Sequence, residues 1–531
     1  MTRPPRLALA LVLAACLAPL VVGAPLMEDD EGLHAAIAQE MVERGDWTVP
    51  RLLGEPFLDK PILYFWLQAS SIAAFGVSEF AVRLPGTVVA LAGAAATGWL
   101  ARGLAGPVVG WWAAAFYATM LLPFGVSLSP LHDLVMVPLV VVAIGAYWHA
   151  RHAAAPAAVV RWTLVAGVAL GLSILGKGLT GIGLAGVGVA AWLVWTRALS
   201  WRLVAVGAAS LVLAAAIAWP WYAAMEQASP GYLEYFFADR HLGGVTSDTQ
   251  RHAGRPIWYY LPIVVAGTLP WNVALWRRPR AANDAERLLW AWLVADLVVL
   301  SLAGSKLATY VLPALPAAAV LAASRLATPA VTVPGRRGWS RLDGAAVAMA
   351  VLGLVAAPAV GAWLGGFAAP ALPQLLVGLL PVAVFAWTRR CWLDDAPGRL
   401  LAVTAAALLA VVVGAVPQVA GRLTAQPLAA EINRRGAVPS RLLIVDEGIG
   451  SFVFYLRPEL RRMLATAQVQ RISRFSLADV PPAPGTMVAV AADRLPGVVA
   501  LYDLSGQPPQ PSHGFELRPL DEFHPRATAD P

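Results

Sequence analysis

The chain has 531 residues, of which 58% are hydrophobic and only 13% charged, with a mean hydropathy of +0.64. That balance excludes a soluble domain of this length and calls for repeated burial in lipid. The net charge of +7 does not mark a nucleic-acid binder, because the arginines are dispersed between apolar runs rather than gathered on one face; the two cysteines, Cys16 and Cys391, imply no disulfide framework.

The first apolar run, 7–26, follows Arg3 and Arg6. Leu13-Ala14-Ala15-Cys16 resembles a lipoprotein cleavage box, but the apolar stretch continues past Cys16 to Leu26, so the run reads as an uncleaved span. Further runs fall near 86–104, 107–127, 134–150, 162–176, 178–195, 203–221, 257–275, 288–303, 308–326, 343–365, 371–388 and 400–417. Each approaches the length that crosses a bilayer as a helix, giving about thirteen spans. Gly106 and Pro107 mark a tight turn between two of them.

Between the first two runs lies a polar loop, 25–85, beginning Met27-Glu28-Asp29-Asp30-Glu31-Gly32. Spacings of three and four among Leu33, Ile37, Ala38 and Met41 predict a helix over 33–44, lying in the membrane plane. Trp47, Phe57, Tyr64 and Trp66 suit the interfacial belt. The acids have two readings, a cap favoured at a helix N-terminus or chemistry. Asp133, directly before a span, is either an N-cap or a functional carboxylate. The loop 222–256 carries Asp239, Arg240, His241, Asp248, Arg251 and His252 among Tyr232, Tyr235, Phe236 and Phe237. It reads as an ordered, aromatic-anchored segment.

Alternate links carry the arginines: Arg3 and Arg6, Arg102, Arg151 and Arg161, Arg197 and Arg202, the 277–287 group, the 325–341 group, and Arg389, Arg390 and Arg399. By the positive-inside rule these links are cytoplasmic, which puts the N-terminus inside and the C-terminal tail outside. Loops 25–85 and 222–256 then face outward. Only three of the 39 basic residues are lysine: Lys60, Lys177 and Lys306. All three fall on the outer side. Lysine is a compact point charge, unlike the planar arginine fork, so acids, three lysines and apolar walls on one face point to a reaction on a lipid-borne phosphate. No Gly-rich nucleotide-phosphate loop is present.

After the last span, 441–446 and 487–492 read as buried strands, and 451–456 and 498–504 as helices. A small α/β domain over 418–531 is expected on the outer, periplasmic face, with no catalytic constellation and a role closer to a passive cap than a lid. The spans, 1–417, are expected to form the membrane domain.

Several motifs resemble one family. They are Asp30-Glu31 followed by Ala36-Ile37-Ala38-Gln39-Glu40-Met41; Gly45-Asp46-Trp47-Thr48-Val49-Pro50-Arg51-Leu52; Gly54-Glu55-Pro56-Phe57-Leu58-Asp59-Lys60-Pro61; Gly176-Lys177-Gly178; Trp219-Pro220-Trp221-Tyr222; and Ser305-Lys306-Leu307 with Tyr310. In order and spacing over 1–325 the chain resembles the bacterial polyprenyl-phosphate-dependent glycosyltransferases, which include the lipid A aminoarabinose transferase and relatives of the protein O-mannosyltransferases. The resemblance implies an all-α polytopic GT-C fold in the inner membrane. It implies transfer of a sugar from a polyprenyl (undecaprenyl) phosphate donor to a lipid A, protein or other envelope acceptor. It assigns Asp30 and Asp133 to catalysis. Glu31, Arg51, Asp59, Lys60, Lys177, Arg240, His241, His252, Lys306 and Tyr310 are expected to bind substrate. A divalent metal ion is left open as a cofactor. Where the family shows Asp-Glu-Ala-Arg-Tyr, this chain has Asp30-Glu31-Gly32-Leu33-His34, and Gly243-Gly244 stands where an arginine often follows the loop histidine. Arg240 or Arg51 is expected to supply the lost charge. The competing class is a transporter or flippase of lipid-linked sugars, which needs polar groups at mid-depth; Asp296 is the clearest.

Overall fold

A computed structural model describes residues 3–129, 131–243, 254–275, 283–327, 340–364, 372–392, 395–464, 468–492, 494–505 and 514–526. Among these, eight helices are long and apolar enough to cross a membrane, or nine when the bent pair Pro107–Thr119 and Leu121–Leu128 counts as one span. The protein is a multi-pass membrane protein. Two of the remaining apolar runs form the shorter helices Arg6–Leu20 and Thr180–Trp195. The pair bends by 56° at Met120, whose backbone is extended. Helix starts follow local chemistry: the side chains of Ser200, Asn283 and Asp395 accept the N–H of Leu203, Glu286 and Gly398, each satisfying a donor that the helix cannot.

The chain forms two compact units. One comprises Met1–Gly23, Leu58–Leu67 and Arg83–Gln418; the other comprises Ala24–Phe57, Gln68–Val82 and Val419–Pro531. In the first, His132–His152 and Pro156–Lys177 are consecutive helices in extensive contact. The end of the second therefore returns to the start of the first, and the Asp133–Lys177 ion pair marks that meeting. Asp296, the mid-span acid, is fully buried and accepts Trp292 Nε1 of its own helix at 3.0 Å.

The second unit contains a four-stranded sheet ordered Val469–Ile472, Arg441–Val445, Thr486–Ala491, Phe515–Pro519. The first three strands are parallel, with Leu442 opposite Val469 on one side and Met487 on the other; the last is antiparallel, with Val488 opposite Arg518. Leu443, Val445, Val488, Val490, Val498 and Tyr502 form its core. Apolar strands covered on both faces are what a parallel sheet requires.

Three local expectations are corrected. The first-loop helix spans Asp30–Arg44 rather than starting at Leu33, so its acids occupy the first turn, where the helix dipole favours them. The run 257–275 is not continuous helix. It holds Tyr260–Gly267 and a short 3-10 turn, Trp271–Ala274, broken around Pro270, whose ring disfavours helical backbone before it. Residues 498–504 are not one helix either: Leu495–Val499 ends, and Tyr502–Leu504 pairs antiparallel with Phe523–Pro525.

Candidate active site

Three parts of the first unit converge on Lys177. Its ammonium closes the helix Pro156–Lys177 and forms an ion pair with Asp133, in the first turn of His132–His152. Asp133 is not the cap of that helix, since the N-cap is Leu131 without a side-chain hydrogen bond. The same ammonium lies 4.6 Å from the ring centre of Tyr310, within cation–π range. Behind it, His241 braces the turn: Nε2 accepts Leu179 N–H at 3.2 Å and Nδ1 donates to Phe236 O at 2.9 Å. An imidazole with one donor and one acceptor nitrogen is neutral. Burial, above all, also lowers the His241 pKa. Gly178 makes the contact feasible, because a Cβ there would overlap His241 Nε2, and its φ of +64° suits glycine.

Lys60 joins this cluster from the segment before the helix Leu63–Phe75. Burial lowers its pKa most, and the neighbouring Lys177 charge lowers it next; Asp133 and Tyr310 oppose that trend, while Arg240 adds to it. Asp59, its chain neighbour, accepts the phenol of Tyr235 and faces Arg240 Nε at 3.3 Å. Both partners sit on the π-helical segment Glu234–Leu242, a wider turn that recurs at functional sites. The aromatic run of the loop does not by itself distinguish Tyr235 as a site residue; its phenol pKa is raised to about 12 by burial and then by the Asp59 bond.

The structure thus brings together Asp59, Lys60, Asp133, Lys177, Arg240, His241 and Tyr310. Lys306 is buried and donates to Arg255 O at 3.3 Å. His252 lies outside the described residues. In the second unit, Asp30 is exposed at the start of its helix. Glu31 is buried, and its Oε2 accepts Met27 N–H at 2.8 Å. Arg51 donates to Gly54 O at 3.1 Å and faces Asp46 at 3.7 Å. Among the described residues no three His, Cys, Asp or Glu side chains gather as metal ligands.

Residues 59–222 match the family model described as dolichyl-phosphate-mannose-protein mannosyltransferase. The chain is 32% identical over 350 residues to an undecaprenyl phosphate-alpha-4-amino-4-deoxy-L-arabinose arabinosyl transferase of Erwinia tasmaniensis, covering 63% of this chain and 61% of that protein. It is 34% identical over 316 residues to the transferase of the same description from Pseudomonas savastanoi pv. phaseolicola, covering 56% of each. The chain is similar to these transferases over the matched residues. It spans about three fifths of the length of the curated relatives it matches. The crystal structure of ArnT from Cupriavidus metallidurans bound to undecaprenyl phosphate aligns over 94% of this chain and 96% of that one, with a TM-score of 0.72 at 24% identity. That likeness establishes the GT-C fold.

Proposed function

We propose that the protein transfers a sugar from a polyprenyl-phosphate carrier to an envelope acceptor at the periplasmic face of the inner membrane. The observation that carries this reading is the convergence of Lys60 and Lys177 around Asp133. Lys60, Lys177 and Arg240 outnumber Asp59 and Asp133 in cations, and burial together with the Lys177 charge makes the ammonium of Lys60 costly without an anion. A phosphodiester supplies that anion. As the glycosidic bond to phosphate breaks, charge accumulates on the departing phosphate. Fixed cations in a low-dielectric cleft stabilise that charge more than they stabilise the bound donor. Similarity to the aminoarabinose transferases supports the carrier class.

In this reading Lys60 and Lys177 hold the donor phosphate, with Arg240 as the supplementary charge. Asp133 orients Lys177, and Tyr310 shields it. Asp30 and Glu31 belong to the acceptor side, where Asp30 activates a hydroxyl or orients a phosphate acceptor. Residues 1–417 are the catalytic membrane domain, with the N-terminus cytoplasmic, and 418–531 is the periplasmic domain; the arginine alternation supports this orientation. Transport is the less favoured reading, because Asp296 is buried and bonded within its own helix. The decisive experiment incubates purified protein with synthetic polyprenyl-phosphate sugars and envelope fractions, followed by mass spectrometry. A sugar-bearing acceptor with release of polyprenyl phosphate supports transfer. Movement of intact donor across a vesicle membrane without transfer supports the transporter.

A further inference from the structure

The C-terminal part of the second unit touches the first-loop helix at backbone level. A Cβ on Gly32 would lie 2.5 Å from Ser451 N and 2.9 Å from Ser451 Cα. Reciprocally, a Cβ on Gly450 would overlap Leu33 N and Cα and the carbonyl carbon of Gly32. Two glycines therefore face each other, and neither tolerates a side chain without a shift. Beside them the Glu28 carboxylate accepts Ser451 N–H, and a Cβ on Gly448 would overlap that carboxylate and Asp29. Ser451 Oγ in turn accepts Ala425 N–H at 2.8 Å, which ties the turn into its own domain.

The contact is repeated along the helix. At its far end Arg461 pairs with Glu43, with Nε donating to Glu43 Oε2 at 3.2 Å. Before its start, Leu26 N–H donates to Tyr455 OH at 2.8 Å, and that hydroxyl donates to Glu79 Oε1 at 2.8 Å. The helix Asp30–Arg44 is therefore gripped at both ends by the segment 448–461, and its N-terminal end is where Asp30 projects. The Gly32 that departs from the family pattern is the residue this close approach requires.

We propose that the turn 448–451 is a positioning element for the transfer reaction, setting the direction of the Asp30 carboxylate by seating on Gly32 and Leu33. This rests on the transferase reading, with Asp30 on the acceptor side. The turn touches no reacting atom; it acts through the helix. A misplacement of about 1 Å can cost about 100-fold in rate.

The test compares Gly450→Ala and Gly32→Ala with Gly421→Ala, where a methyl meets nothing within 4 Å. Each folded variant is assayed for transfer, for donor-lipid binding and for amide hydrogen exchange over 27–34. The expected result is a kcat about 10–100-fold lower in the first two, donor Kd within about twofold, and faster exchange confined to 27–34, with Gly421→Ala like the parent. Should the alanine variants fail to fold, Glu28→Ala and Glu28→Gln replace them. The alanine removes the Ser451 acceptor and is expected to lower kcat, while the glutamine keeps an acceptor and restores it. Parent-like kcat and parent-like exchange in the glycine variants, or in Glu28→Ala, overturn the proposal. If the parent itself transfers no sugar, the transferase reading fails separately, and unchanged exchange over 27–34 still overturns the positioning.

Discussion

The ammonium of Lys177 ends one helix and the carboxylate of Asp133 begins the next, and they meet in an ion pair whose side chains are 12% and 7% exposed. Burial makes such a pair costly to break, because the survivor keeps an uncompensated charge. Asp133→Ala and Lys177→Ala are each expected to lose about 3–5 kcal/mol of stability, and the double replacement Asp133→Leu with Lys177→Met much less. Thermal unfolding in detergent micelles measures it. Additive losses in the double variant show that the two side chains act independently.

Lys60 should be intolerant of arginine. Its ammonium is half-buried among the charges of Lys177, Asp133 and Arg240, and a planar fork needs a different pocket. Lys60→Arg and Lys60→Ala are both expected to weaken polyprenyl-phosphate binding, the alanine by about 1.5–3 kcal/mol through loss of a charge-assisted hydrogen bond. Lipid binding to folded variants decides this, and parent-like Kd in both removes Lys60 from the phosphate site.

The pH dependence of donor binding follows from the same residue. Burial, then the Lys177 charge, lowers the Lys60 pKa from its ordinary 10.5. The ammonium is present at low pH and is lost as pH rises through the lowered value. Donor affinity should fall on the alkaline side earlier than a free lysine would cause, toward a limit of about tenfold per pH unit. Titration of Kd from pH 6 to 10 checks it, with Lys60→Ala lacking the Lys60 step.

Glu28 supplies a second test, from a pKa shifted the opposite way. Burial raises its pKa from 4.5 to about 7, against the bonds from Ser451, and the nearby Asp29 charge adds to the rise. Asp29 itself faces Arg471 at 3.4 Å, and Glu31 bonds Met27 N–H. Because the folded state holds the proton more tightly, stability is full below pH 4.5 and declines as pH rises through 7, by at most about 1.4 kcal/mol per unit. Glu28→Gln should flatten that decline. An unchanged slope of Tm against pH in Glu28→Gln removes Glu28 as its source.

Orientation is tested by replacing Cys16 and Cys391 and then placing single cysteines at the exposed positions Glu55 and Glu234. Both should react with a membrane-impermeant thiol reagent added from the periplasm. Reaction only after the cytoplasmic face is opened reverses the assignment of the site.

Much of this was legible in the chain because local physics decides it. Apolar length announced the spans, and the alternation of Arg441–Val445 and Thr486–Ala491 with turn-rich segments announced the sheet. The scarcity of lysine singles out Lys60 and Lys177, whose charges act on one another beside Asp133. What escaped depends on partners distant in sequence. Tyr235 reaches Asp59 across 176 positions. Tyr502–Leu504 becomes a strand only because Phe523–Pro525 pairs with it. Gly32 stands where the family pattern has alanine, and its reason lies in Ser451.

The grip of 448–461 on the first-loop helix also has a consequence in time. Leu26 and Tyr455 are 429 positions apart, so the ribosome releases the helix long before its partner. Contacts of such separation form late. Through most of synthesis the segment 24–57 is without its partner, with Gly32 open and Glu28 lacking the Ser451 N–H, while the spans are inserted behind it. A chain stopped before Val419 would possess its membrane helices and every lysine, yet would leave the first loop without the surface that completes it. Biogenesis would thereby withhold a finished Asp30 until the segment 448–461 had been made.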